Sequence, residues 1–257
     1  TSGVSLTANY VTDRPTNVQD NSILVEKDTA RRYWFSEALA PTFEDDFTSD
    51  NWTDSDSTVV GVGTNVLDFQ GKDGNFDEVS YISQTIGDKF LYRMKVSPTT
   101  ITQTGTAESI RVVFGLSSSG DVAFETNRDE VGIIWRLSNA INKFHSFTVD
   151  GSSVPFGGTD FSLTPSVTDY YFEIIGNNGT YTFNIYSDEY VTLTETNEIT
   201  DAGLVLDTLV VRGMTTSTVS TNQAQGTVDD VQFYNGVTSI TPATWTKEIS
   251  STLPTVS

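Results

Sequence analysis

Tyr170-Tyr-Phe-Glu-Ile-Ile-Gly-Asn-Asn-Gly-Thr-Tyr-Thr-Phe-Asn-Ile-Tyr-Ser187 decides how the rest of this 257-residue chain is read. Two runs, 170–176 and 180–187, are rich in aromatic and β-branched residues and flank Asn177-Asn178-Gly179. Asn-Gly supplies the left-handed backbone of a tight turn, so the stretch predicts an antiparallel hairpin. Period-two alternation recurs on both sides of it. In 89–96, Phe90, Tyr92, Met94 and Val96 share one face and Lys89, Arg93 and Lys95 the other, with Leu91 the exception. Residues 110–116 place Val112, Phe114 and Leu116 together; residues 131–137 place Val131, Ile133, Trp135 and Leu137 together, which assigns Trp135 to the core. Residues 143–149 read as the hairpin partner of 131–137 across 138–142, and 207–212 and 228–234 as the last clear strands. Half-buried strands carry this pattern.

Helical spacing is nearly missing. The one helix-friendly stretch, 26–39, holds Tyr33, Trp34 and Phe35 in a row. Strands at intervals of roughly 10–20 residues, separated by Gly/Asn/Ser/Asp turns, define an all-β sandwich or barrel. No short internal repeat argues for a propeller or solenoid.

Charge narrows the partners. Lys+Arg is 14 and Asp+Glu 34, a formal net charge of −20. That field repels nucleic acid and anionic membranes. Cysteine is absent and His145 is the sole histidine, which excludes thiol chemistry and His/Cys metal centres. No apolar run approaches the roughly 20 residues that span a bilayer, so the chain is expected not to be membrane-spanning.

Residues 42–236 resemble the concanavalin A-like jelly rolls, laminin-G-like modules among them. The resemblance rests on Thr42-Phe-Glu-Asp-Asp-Phe-Thr-Ser-Asp-Asn-Trp52, on the 170–187 hairpin, and on Thr227-Val-Asp-Asp-Val-Gln-Phe-Tyr234. It implies an all-β jelly-roll sandwich of two antiparallel sheets. The 45–57 segment is also similar to such modules in marine archaeal and viral proteins. The stretch from Arg14-Pro-Thr-Asn17 to Arg31-Arg-Tyr-Trp34 is similar to arms that precede domains in phage and virus structural proteins. The family spans glycan-binding lectins, adhesion modules, virion appendages and some glycanases, so fold alone does not settle function.

Glycanases of this fold resemble one another in a Glu-x-Asp-x-x-Glu strand motif, which sets two carboxylates on one face about 5–5.5 Å apart for retaining cleavage. The motif is not found. Glu44/Asp46 and Asp54/Asp56 alternate outside any core strand pattern, and Glu195-Thr-Asn-Glu198 lacks the central acid. A serine triad would need His145, which shares a strand face with Lys143, Phe147 and Val149. The chain is expected to be non-catalytic.

Structural calcium has two candidate places. The resemblance implies neighbouring first and last strands with a carboxylate from each on the ion: Asp46 and Asp230, supplemented by Asp45 or Asp229. The alternative is Asp residues that cap turns through backbone amides. In the second place, Asp73, Asn75 and Asp77 have the one-three-five spacing of a calcium loop, but Glu78 stands where Gly is required and Gln84 where Glu closes the loop. A plain Asp-Gly turn is the alternative there. For glycans, an aromatic platform beside polar groups is required; the candidates are Trp52, Trp135, Tyr81 and Tyr186, with Trp135 favoured as core and Trp52 also readable as packing.

The resulting expectation has three segments: an assembly arm (1–41), a jelly roll (42–236) and a tail (237–257). Ile23, Leu24, Val25, Tyr33, Trp34 and Phe35 are too apolar for a free arm and must pack on the parent domain or on a neighbour by strand addition. The expectation taken is assembly, as a homo-oligomer or with other virion or surface proteins, and the alternative is that both ends are ordinary tails. The function expected is a structural or decoration protein of a virion surface or extracellular setting, with cell-surface glycans as ligands. The alternatives are a stand-alone carbohydrate-binding module and a glycan-cleaving enzyme.

Overall fold

The alternating runs fold as strands. The computed structural model describes residues 5–8, 23–26, 32–36, 38–55, 60–63, 65–71, 78–103, 110–120, 128–138, 140–151, 157–215, 222–240 and 244–247, with the backbone path alone for 5–8, 23–26, 32–36, 71, 78, 157, 214–215 and 244–247. Among the described residues there is no helix, and none long and apolar enough to cross a membrane.

The chain divides into two compact units, Pro41–Thr238 and one made of Thr1–Ala40 with Ser239–Ser257. In the terminal unit, β1 (Ser5–Ala8), β2 (Ile23–Glu26), β3 (Arg32–Ser36) and β19 (Thr244–Lys247) form a sheet in the order β1-β2-β3-β19. The helix-friendly reading of 26–39 therefore gives way to a strand: β3 pairs antiparallel with β2 and with β19, Phe35 opposite Trp245. Three consecutive aromatics favour a pleated strand over a helix.

The body contains β4 (Phe43–Asp45), β5 (Thr53–Asp54), β6 (Val60–Val62), β7 (Leu67–Gly71), β8 (Glu78–Ser83), β9 (Lys89–Thr102), β10 (Ile110–Ser117), β11 (Glu130–Leu137) and β12 (Asn142–Val149). It continues with β13 (Gly157–Asp160), β14 (Tyr170–Asn177), β15 (Thr180–Tyr186), β16 (Leu193–Thr200), β17 (Thr208–Thr215) and β18 (Gln223–Asn235). A seven-stranded sheet runs β13-β12-β11-β10-β17-β8-β5; an eight-stranded sheet holds β16-β15-β14-β9-β18-β7-β6, with β4 also paired to β18. Every pairing in the body is antiparallel.

The stretch from Tyr170 to Ser187 folds as the β14–β15 hairpin. Its central residues Asn178 and Gly179 both have positive φ, 50° and 83°. Two left-handed residues in a row match the twist of the flanking strands.

The sheets stack face to face through the alternate residues. Phe114, Phe144, Phe172, Phe69 and Trp135 interlock in the centre, the Phe144 and Phe172 rings 5.0 Å apart and near perpendicular. Trp135 is fully buried and donates its indole N–H to Asn142 at 2.9 Å. Leu91, the exception in its strand, is buried on the outward face of the eight-stranded sheet, opposite Ile175 and Tyr234. One edge of the sandwich is closed by polar side chains of β16: Glu195 accepts from Ser162 N and Oγ, both at 2.7 Å, and Asn197 donates to Thr159 O at 3.1 Å.

Candidate functional site

The outward face of the seven-stranded sheet is built from the residues that alternate with the core. Val113, Ile134, Phe147 and Val149 make a small apolar cluster there. Glu130 lies among them, fully buried, with Arg212 Nη1 at 2.6 Å and Arg128 Nε at 3.3 Å. At the edge, His145 Nδ1 is 2.7 Å from Asp160. Burial lowers the His145 pKa, and the Asp160 hydrogen bond opposes that shift. Glu130 and Asp160 are the acidic residues at outward strand positions of this sheet among the described ones. Asp160 pairs with His145, and Glu130 with Val149. Four residues along and two strands across separate them by about 16 Å at the backbone, beyond the roughly 5–9.5 Å of glycosidase carboxylate pairs. Tyr81 stands half-buried on the same face; a Cβ on Gly120 would run into its ring, so that ring face is covered.

On the other side, β4 pairs with β18, which brings the two acidic clusters together. Glu44, Asp45, Asp46 and Asp230 line a cleft of about 430 Å³ with Thr48, Ser49 and Asn51. Asp45 points inward. Its Oδ1 accepts from Phe47 N at 2.7 Å and its Oδ2 from the Trp52 indole N–H at 3.2 Å. Asp46 Oδ1 accepts from Thr48 N and Oγ1, which holds its carboxyl below the usual value. Asp229 accepts from Asp230 N at 2.8 Å, and Asp230 accepts from Gln232 at 3.2 Å. Calcium needs six to eight oxygens at about 2.3–2.6 Å. Here both oxygens of Asp45 and one each of Asp46 and Asp230 are turned to N–H or O–H donors, and no three His, Cys, Asp or Glu side chains among the described residues gather for a metal. As placed, these carboxylates do not form the cage of a calcium ion among the described residues.

Trp52 is 6% exposed, its ring against Phe47; it is core and offers no open platform. Tyr186 is half-buried on the outward face of the eight-stranded sheet. Its hydroxyl donates to Glu173 Oε1 at 2.9 Å, and Arg93 holds Oε2 at 2.6 Å. Tyr190 packs edge-on to Tyr186 and Tyr171 and lies under the Arg93 guanidinium, 4.2 Å from ring to Cζ. Burial, with the Glu173 charge adding, pushes the Tyr186 hydroxyl up to about 12. This ring is a structural strut rather than a free platform. Asp73, Asn75 and Asp77 lie outside the described residues. Ile23, Val25, Tyr33, Trp34 and Phe35 lie in β2 and β3, where only the backbone is described.

Sequence reasoning did not find a groove of about 450 Å³ at one end of the sandwich. It lies between the β8–β9 connection, the β14–β15 turn and the β16–β17 connection. Asp88 and Asn178 stand exposed on its rim, Ile86, Leu204 and Val205 on its walls, and Phe90 and Tyr181 in its floor. Asn178 N donates to Asp88 O, Asp201 N to Gly179 O, both at 2.8 Å, and Val205 N to Asp129 Oδ2 at 2.6 Å. Three connections are thereby tied together. No sequence motif marks such a groove, because its parts are separate in the chain.

No family profile matches the chain, and no curated protein matches it by sequence. Solved structures do match in fold. The legume lectin-like domain from Entamoeba histolytica superposes with a TM-score of 0.51 at 14% identity, covering 72% of this chain and 90% of that one. The CBM2 module of the Lactobacillus casei BL23 phage J-1 evolved Dit gives 0.51 at 12%, covering 77% and 95%. Rv0315, an immunostimulatory antigen and pseudo β-1,3-glucanase of Mycobacterium tuberculosis, gives 0.51 at 12%, covering 77% and 100%. The body is thus a concanavalin A-like jelly roll, a fold that carries lectins, binding modules and glucanase-like scaffolds alike.

Proposed function

We propose that this protein is a non-catalytic glycan-attachment protein of an extracellular or virion surface, assembled through its terminal segments. The observation that carries the non-catalytic reading is Glu130: the one fully buried carboxylate on the outward seven-stranded face is held by Arg212 and Arg128. With no surface open to solvent, it presents neither oxygen to a substrate. Attachment is favoured by the fold shared with lectin-like and carbohydrate-binding domains. The phage module among them is in keeping with a virion setting, and the net charge of −20 disfavours nucleic acid and anionic lipid. The pairing of β3 with β19 brings both chain ends into one small sheet, in keeping with an assembly role for the termini.

The test is retention without cleavage. The full chain is incubated with laminarin and with mannan, bound protein is measured by co-sedimentation, and reducing ends are titrated over days. Binding with no new reducing ends is expected; accumulating reducing ends would overturn the non-catalytic reading. Light scattering on the full chain tests assembly, with a symmetric oligomer expected and a monomer counting against it.

A further inference from the structure

We infer that the end groove between the β8–β9, β14–β15 and β16–β17 connections is the saccharide site, and that it takes neutral sugars and rejects sialic and uronic acids. The inference rests on the glycan-attachment reading above and supplies its site and ligand class. At about 450 Å³ the groove falls within the roughly 300–1,000 Å³ of small-ligand sites.

Its chemistry suits a pyranose. Asp88 offers a carboxylate at the rim that accepts from two adjacent hydroxyls, a charge-assisted pair stronger than neutral bonds. Asn178 beside it both donates and accepts. Val205 is 69% exposed, yet its backbone N–H is fixed by Asp129 at 2.6 Å, and the same carboxylate holds Gly151 N at 3.0 Å. An aliphatic side chain kept in water on an anchored segment provides an apolar wall for the C–H face of a sugar. The ties among Asp88, Asn178, Gly179 and Asp201 preform the groove, so little ordering is needed on binding.

The field of the groove sets the selectivity. Burial, followed by the charges of Asp201, Asp129 and Asp88, pushes the Tyr181 hydroxyl in the floor up to about 12. Among the described residues no Lys or Arg lines the groove. A carboxylated sugar would enter against this negative potential with no cation to meet it.

The test uses the full chain, fluorescently labelled, on a printed panel of mannosyl, galactosyl, glucosyl and N-acetylhexosaminyl oligosaccharides beside sialylated and glucuronate-capped ones. Asp88→Ala and Ala202→Trp, the latter filling the groove, are run in parallel with melting temperatures recorded. Binding to neutral members is expected, with both variants weakened roughly tenfold or more at unchanged melting temperature. Wild-type binding that both variants retain would overturn the groove assignment and leave glycan attachment standing. Preference for the sialylated or glucuronate members would overturn the ligand class. Binding to no member would overturn both readings.

Discussion

Asp230 is a carboxylate held where its charge is unwelcome. Burial raises its pKa, and the charges of Asp229, Glu189 and Glu44 raise it further. A carboxyl whose folded pKa exceeds the unfolded 3.8 lowers stability as pH rises through the folded value. The strain is absent below the unfolded value. Asp230→Asn keeps the acceptor for Gln232 and tolerates the left-handed φ of 52°. It is expected to stabilise at neutral pH by about 0.5 kcal/mol, after discount for solvent screening, measured by urea denaturation against pH. Because the cleft offers no cage, calcium is expected to raise the melting temperature no more than sodium chloride of equal ionic strength. A larger rise in the wild type that is lost in Asp230→Asn would restore the calcium reading. Glu130→Gln is expected to cost about 3–5 kcal/mol, because it removes the carboxylate that two buried guanidiniums share. The convergence of the two Asp pairs was readable from the resemblance. The orientation of Asp45 was not, since it depends on the left-handed φ of 55° at Phe47, which no residue type there announces.

Among the elements, the β14–β15 hairpin was the most legible, since Asn-Gly leaves one economical turn. Gly179→Ala forces a side chain onto a φ of 83° with Ala202 Cα 3.0 Å from the new Cβ; a loss of about 1–2 kcal/mol is expected by chemical unfolding. At the β12–β13 edge, the lowered His145 pKa means that its contribution is present above the unfolded 6.5 and is lost as pH falls toward the folded value. The melting temperature should fall through that acidic window and flatten in His145→Gln; an unchanged slope would remove His145 as the cause. The strand β16 escaped the sequence reading. Leu193-Thr-Glu-Thr-Asn-Glu-Ile-Thr200 has no apolar alternation, because an edge strand closes the sandwich through Glu195 and Asn197 rather than through hydrocarbon. The short strands β5 to β7 escaped for a related reason: two to five residues are too few to display a period.

For the whole molecule, the two-layer architecture was legible because long strands bury alternate residues in one shared core. The groove was not, because it is made of connections whose meeting depends on how the sheets end. The excess of 34 acids over 14 bases acts on the molecule as self-repulsion. Added salt is expected to raise the melting temperature, most steeply between about 0.01 and 0.15 M, where the screening length shrinks from about 30 to about 8 Å; sodium and potassium chloride should act alike. The pairing of β19 with β3 also governs how the protein bears tension. The register runs from Lys247↔Tyr33 to Thr244↔Ser36, so a pull on the C-terminal end of β19 loads the hydrogen bonds one after another rather than together. With the N-terminal end held, β19 is expected to unzip at low force, and the body to bear load only after those bonds have parted. In a single-molecule stretching trace the terminal sheet would act as a fuse, yielding before the jelly roll.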